Sequence, residues 1–331
     1  MTAFIGRREF ITLLGSAAAT WPFPARAQQP ERMPRIGVLM GIADDPEARG
    51  RLSVFREGLR ERGWTDGANI EFSYRWGAGD AELNRRLADE LLQWQPDLIL
   101  SNSTPITIAA HMATQTTPIV FTNVTDPVAA GVVQSLARPG GNLTGFTNFV
   151  PSLVGKWIEL LKGMDRRVTR IVYLFSPETC PLPLVQSVAA AASSLSVEAA
   201  AAAVRQASEI ETAISELAPA PSSGLLVLPD VFTSSNRHTI ISVAARRRLS
   251  AMYPFKFHTR DGGLMSYGVE AIEPFRQAVT YVDRILRGAR PSELPVQAST
   301  KWELVINLKT AKTLGLEVPL QLQQLADEII E

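Results

Sequence analysis

The segment PIVFTNVTDPVAAG, residues 118–131, runs from an apolar strand into small polar residues. Asn123, Thr125 and Asp126 gather where that strand ends. In an open parallel sheet, ligands sit beyond the carboxyl ends of the strands. The same position suits helix caps, so each residue can serve the backbone, a ligand or both. Asp126 precedes Pro127, a natural first helical residue. The run DLIL is followed by SNSTPIT, which offers Ser101, Ser103 and Thr104 before Pro105. Thr104 reads as the cap of the next helix. First-turn amides and the positive dipole end there suit a carboxylate.

Later runs repeat the arrangement. LFSPETCP supplies Ser176 and Glu178, and LVLPDVFTSS supplies Asp230 and Thr233. An acid just after an apolar strand can receive an ammonium or cap a helix. Tyr267, in GGLMSYG, can pack one face on a ligand and hydrogen-bond through its hydroxyl, or simply pack a hinge. Catalytic patterns are lacking: there is no G-x-S-x-G elbow, no P-loop and no G-x-G-x-x-G. Cys180 is the single cysteine, so an internal disulfide and a thiolate cluster are excluded. His111, His238 and His258 lack zinc-ligand spacing. We expect no catalytic residues, no metal and no cofactor.

The elements that must position these residues alternate along the chain. RIGVLM reads as a buried parallel strand, and Leu52, Phe55 and Leu59 mark a helix after it. NIEFSYRW, DLILS and PIVF follow as strands, with helices at DAELNRRLADELLQW, PITIAAHMATQ and PVAAGVVQSLA. The pattern restarts with the helix SLVGKWIELLKGM. Strands RIVYLFS, SVEAAAAAV, GLLVLP and AMYPF follow, with helices LPLVQSVAAAASSL, EIETAISELA, SSNRHTIISVAARRR and PFRQAVTYVDRILRG. ELVINLKTAKTLG comes next, and LQQLADEIIE reads as a closing helix. Two such blocks imply an α/β protein of two Rossmann-like lobes with parallel sheets. The expected division is 28–145 plus about 269–297 for lobe one, and 146–268 plus about 298–331 for lobe two. GGNLTGFTNFVP, GGLMSYG and LPVQAST are the expected crossings between them.

The 331 residues are 46% hydrophobic and 20% charged, with no net charge, enough for a real core and without the basic footprint of a nucleic-acid binder. Residues 1–27 read as an export signal: Arg7 and Arg8, a short apolar run, then Ala25-Arg26-Ala27 before the cleavage point. The paired arginines suit twin-arginine export, and the general secretory route also fits. The mature chain is then extracytoplasmic and does not span the membrane.

NVTDPVAAGVVQSLARPGGNLTGFT, GKWIELLK, LVLPDVFT, YPF, GGLMSYG, YVDRILRG and ELVINLKTAKTLGL together resemble one family. It is the substrate-binding proteins of ABC importers with the type I periplasmic binding fold, in the branch with tryptophan- and tyrosine-binding proteins. The resemblance covers nearly the whole chain. It implies two lobes joined by three crossover strands, closing on a small solute and docking on an inner-membrane ABC permease. It implies a periplasmic protein, here expected as a monomer. It also implies that Ser103, Thr104 and Asp126 face the ligand from lobe one, and Asp230, Thr233 and Tyr267 from lobe two and the hinge. An amino acid would then place its carboxylate at a helix N-terminus and its ammonium against Asp230.

Overall fold

The computed structural model describes residues 32–150, 152–218, 222–299 and 301–331. The export signal expected at 1–27 lies outside the described residues. Arg32 and Met33, at the edge of a first unit, carry no regular structure; Pro34–Glu331 form the second and contain every element below.

Lobe one is built on a six-stranded sheet. Its strands are β1 (Arg35–Met40), β2 (Glu71–Trp76), β3 (Leu98–Asn102), β4 (Ile119–Val124), β5 (Leu143–Thr147) and β11 (Gln297–Ala298). They lie in the order β11-β5-β4-β3-β1-β2, and every pair is parallel. Helix α1 (Pro46–Glu61) starts at Asp45, whose Oδ1 accepts the Ala48 amide at 2.8 Å, with proline at the first position. Its Leu52, Phe55 and Leu59 pack with Phe275, Val279 and Val282 of α10 (Glu273–Leu286) on one face of the sheet. Helices α2 (Ala81–Gln93) and α3 (Thr104–Ala113) cover the other face around Leu91, Ile106 and Phe121.

Lobe two has a seven-stranded sheet in the order β13-β12-β10-β9-β8-β6-β7. Its strands are β6 (Arg170–Phe175), β7 (Glu198–Ala203), β8 (Ser223–Val227), β9 (Ser250–Tyr253), β10 (Met265–Gly268), β12 (Glu303–Asn307) and β13 (Glu328–Ile330). One face packs on α4 (Leu153–Met164) and α5 (Leu182–Ser194), with Trp157 fully buried. The other packs on α6 (Ile210–Leu217) and α8 (Arg237–Arg246). The short helices α7 (Val231–Ser235), α9 (Lys256–Arg260), α11 (Leu308–Leu314) and α12 (Leu320–Leu325) complete the lobe. The β12 strand pairs antiparallel with β10, because it enters from lobe one rather than through a helical crossover within its own sheet.

The fold is the two-lobed α/β architecture expected, with three passages between the sheets. They follow β5, β10 and β11. GGLMSYG is therefore not itself a passage: β10 is an interior strand, paired with β9 and β12, and the chain leaves the lobe after it.

Three local expectations are corrected. PVAAGVVQSLA is not a helix but a succession of turns. Gly131 sits at φ 72°, and the Val132 amide reaches back five residues to the Pro127 carbonyl, which closes a single turn. Val132 and Val133 then anchor the segment in the lobe-one core. LQQLADEIIE ends as a strand: Asp327 exchanges two hydrogen bonds with Leu304, its amide giving 2.8 Å to the carbonyl and its Oδ2 taking 2.8 Å from the amide. Tertiary pairing thus overrides the helical pattern. SSNRHTIISVAARRR breaks into α7 and α8 at Asn236.

Candidate functional site

Strand ends from both lobes converge on one cavity with about 480 Å³ of empty space, its open mouth included. Lobe one contributes Asn102, Ser103, Thr104, Pro105, Asn123 and Thr125, with Ile42 and Arg51 beside them. Lobe two contributes Thr179, Asp230, Val231 and Ser234, and after β9 the rings of Phe255 and Phe257. Asn148 and Ala271, from two of the passages, close the back. The mix of apolar side chains and a few converging polar groups suits a small organic molecule.

The lobe-one wall is strained. Ser103 precedes α3 at φ 91° and ψ 156°, a region almost reserved for glycine. Asn123 and Asp126 also have positive φ, 53° and 45°. Ser103, not Thr104, occupies the cap position of α3, and no side chain caps that helix. Pro105 carries no N–H and the Thr107 amide goes to the Ser103 carbonyl at 3.2 Å, which leaves the Thr104 and Ile106 amides without an intrahelical acceptor. Thr104 instead uses its Oγ1 to accept the Thr125 amide at 3.0 Å, clamping the ends of β3 and β4 together. Thr125 Oγ1 donates to Asn148 Oδ1 at 3.0 Å, and Asn123 Nδ2 donates to the Ala271 carbonyl at 3.0 Å. Gly41 packs close to this wall: a Cβ there would lie 2.1 Å from Ser103 Oγ and would make that side chain turn.

The lobe-two wall centres on Asp230. Its Oδ1 accepts the Thr233 amide at 2.7 Å and its Oδ2 the Ser176 amide at 3.0 Å. Burial pushes its carboxyl up to about 6, against those hydrogen bonds. Cys180 stands near it, its thiol pushed well up by burial first and by Asp230 second. Behind the phenylalanines, His258 stacks on Phe257 at 4.3 Å between ring centroids and on Tyr253 at 5.3 Å. Burial lowers the His258 pKa to about 3, so the ring stays neutral and acts as packing.

Two buried polar atoms of the lining, Ser103 Oγ and Asn123 Oδ1, have no hydrogen-bond partner, while Arg51 Nε has only Glu47 Oε1 at 3.5 Å and the Thr179 side chain turns to Asp230. Buried polar groups are normally satisfied. The lobes also touch at the mouth. Arg237 Nη1 lies 3.5 Å from Asp45 Oδ2 across the cleft, while its Nε holds Asp261 at 2.7 Å within lobe two.

Of the residues singled out in sequence, Ser103, Thr104, Asn123, Thr125 and Asp230 come together on this lining. The other six stand off it. Ser101 is fully buried, its Oγ 2.8 Å from Thr107 Oγ1. Asp126 caps a turn, its Oδ1 accepting the Ala129 amide at 3.1 Å. Ser176 and Thr233 support Asp230 from behind, and Thr233 Oγ1 donates to the Leu228 carbonyl at 2.8 Å. Tyr267 packs in the lobe-two core near Trp302, and its carbonyl accepts Trp157 Nε1 at 2.6 Å. Glu178 pairs with Arg205 at 3.6 Å. Sequence reasoning missed Arg51, hidden among the helix's other arginines, and Phe255 and Phe257. The two phenylalanines follow a short apolar run in YPFKFH, so the strand-end rule could have found them.

The profile of the family described as ABC transporter substrate binding protein matches residues 35–330. A curated protein named tyrosine-binding protein, from Clostridioides difficile strain R20291, is 27% identical over 288 residues, covering 87% of this chain and 82% of that one. An ABC domain from Streptococcus pneumoniae, solved with L-Trp, has the same fold: TM-score 0.83 at 24% identity, covering 90% of this chain and 99% of that one. A substrate binding protein with adhesive properties from Clostridium difficile, solved ligand-free and open, gives a TM-score of 0.67 at 25% identity, covering 90% of this chain and 99% of that one.

Proposed function

The chain belongs to the ABC transporter substrate-binding protein family, and from that premise we propose that it captures a small zwitterionic solute, an amino acid or a close relative. The observation that carries this reading is that one lining holds both the buried Asp230 carboxyl and an uncapped helix N-terminus beside the unpartnered Ser103 Oγ. A solute with both charges answers it. Its carboxylate lies at the uncapped N-terminus of α3, near Ser103 Oγ, where amides and dipole favour an anion. Its ammonium lies against Asp230, which no described residue supplies with a cation. Phe255, Phe257, Val231 and Ile42 supply apolar surface for the remainder.

The relative named for tyrosine and the neighbour holding L-Trp support an amino acid as the solute. The Arg237–Asp45 pair across the mouth supports a closed arrangement. The protein works as a monomer outside the cytoplasm, exported by residues 1–27, and hands its solute to an ABC permease. Among the described residues, no helix is long and apolar enough to cross a membrane. The chain binds and releases its solute without chemistry, a reading supported by its solute-binding family. A thermal-shift screen of amino acids, their 2-oxo acids and their decarboxylated amines tests the reading. Only compounds with both charges should raise the melting temperature. Equal shifts from an amine or a 2-oxo acid contradict it.

A further inference from the structure

Arg51 is the lining residue whose chemistry the zwitterion leaves unused. It lies on α1 with 6% of its surface exposed. Its Nε meets Glu47 Oε1 at 3.5 Å, a long contact, and the Glu47 side chain is 41% exposed, so the pair is partly screened. The Arg51 Cζ lies 5.7 Å from the centre of the Phe257 ring, which belongs to the opposite lobe. With Glu47 held only loosely and Asp45 further off as its acidic neighbours, the buried guanidinium gains from an acceptor supplied in the cavity.

Its place in the cleft says which part of a solute it meets. Ile42, Arg51, Ser234 and Phe257 line the main cavity and also a second, neighbouring one. They form the partition between the two. Asp230, Ser103 and Thr104 line only the first. With the solute's carboxylate at α3 and its ammonium at Asp230, the partition faces the far end of its side chain.

We propose that Arg51 is a specificity-determining residue that hydrogen-bonds an acceptor oxygen, phenolic or carboxylate, at the far end of an amino-acid side chain. The apolar stem of that side chain packs on Ile42, Phe255 and Phe257. The assignment rests on the amino-acid reading of the cleft. Lobe closure completes it, because the ring under the guanidinium comes from lobe two while the arginine comes from lobe one.

Calorimetric titration of the wild type, R51M and R51K tests it with two probe pairs. L-Tyrosine and L-phenylalanine differ only in a phenolic oxygen; L-glutamate and L-2-aminopentanoate differ in a terminal carboxylate. The wild type should prefer the acceptor-bearing member of one pair by about tenfold or more, the value of a hydrogen bond to a charged group. R51M should reduce that preference to within about threefold, and R51K should keep part of it. The unliganded R51M protein should melt no lower than the wild type, since methionine keeps the apolar stem and removes a buried charge. A wild type that binds both members of each pair equally overturns the assignment and leaves the amino-acid reading intact. So does an R51M protein that melts several degrees lower with its preference unchanged, which makes Arg51 structural. Failure of every amino acid to bind overturns the reading of the cleft and this assignment with it.

Discussion

Replacing Asp230 by asparagine keeps the side chain's shape and removes its charge. The wild-type carboxyl is buried and its pKa is pushed from 3.8 to about 6. At about 1.4 kcal/mol per pKa unit, holding it ionised at neutral pH costs the folded protein about 3 kcal/mol. The folded-state value is the higher one. The penalty is therefore absent below the unfolded value and fully present above about 6. Asp230→Asn removes it. Asparagine has only one acceptor oxygen, however, for the two amides of Ser176 and Thr233. One amide then faces an NH2 group, at a cost of about 1–3 kcal/mol. The two terms offset, so the unliganded variant should melt within a few degrees of the wild type at pH 7. The wild type should gain on it as the pH falls from 7 to 5. Binding behaves differently. An ammonium in a desolvated cleft loses a buried ionic partner worth about 3–5 kcal/mol, so affinity should fall at least about a hundredfold. The wild-type affinity itself should fall about tenfold between pH 7 and pH 5, as the carboxyl protonates around 6. The variant should show no such slope. Calorimetry at both pH values reads all of this. A flat wild-type profile, or a variant that binds within threefold of the wild type, would falsify the role given to Asp230.

Other perturbations separate binding from stability. Ser103→Gly relieves a backbone at φ 91°; the gain of about 1–3 kcal/mol, less about 0.5–1 for glycine's entropy, should raise the melting temperature slightly. The same change removes a hydroxyl from the carboxylate site, so affinity should drop roughly tenfold; a variant that binds as well as the wild type removes Ser103 from the site. Arg237→Ala breaks the pair with Asp45 across the mouth and a stack on Phe257. Affinity should weaken about three- to tenfold through a faster off-rate, read by stopped-flow fluorescence; an unchanged off-rate contradicts a role in closure. Gly145→Ala would push a Cβ to 2.1 Å from the Phe121 carbonyl. That strain between β4 and β5 should cost about 1–3 kcal/mol or more in chemical denaturation, and a neutral variant would contradict the close approach.

Much of the lobe architecture was legible because both sheets are covered on two faces. Buried parallel strands such as RIGVLM and GLLVLP read as uninterrupted apolar runs. Strand β7 is legible despite its alanines, at the sheet edge where burial asks little of it. The errors arose where long-range pairing or turns decided the outcome. The last residues of LQQLADEIIE carry a helical pattern, yet Asp327 and β12 draw them into the sheet. PVAAGVVQSLA has a helical look, but Gly131 and the buried valines close it as turns. For the site, the strand-end rule led to Asn123, Thr125 and Asp230, which line the cavity. It also led to Ser101, Ser176 and Thr233, one residue class away from the surface that matters: their side chains point into the supporting layer. Sequence position along a strand does not say which way a side chain turns. Arg51 was invisible for a related reason: RGRLSVFREGLRERG gives no sign which arginine is buried.

The central claim is that one solute with both an ammonium and a carboxylate occupies the cleft. Native mass spectrometry of the purified mature protein, followed by denaturation and identification of what is released, tests it most directly. The account predicts a single small molecule per chain, bearing both groups, that is absent from Asp230→Asn prepared in parallel. A released molecule lacking either charge, or one retained equally by the Asp230 variant, would contradict it.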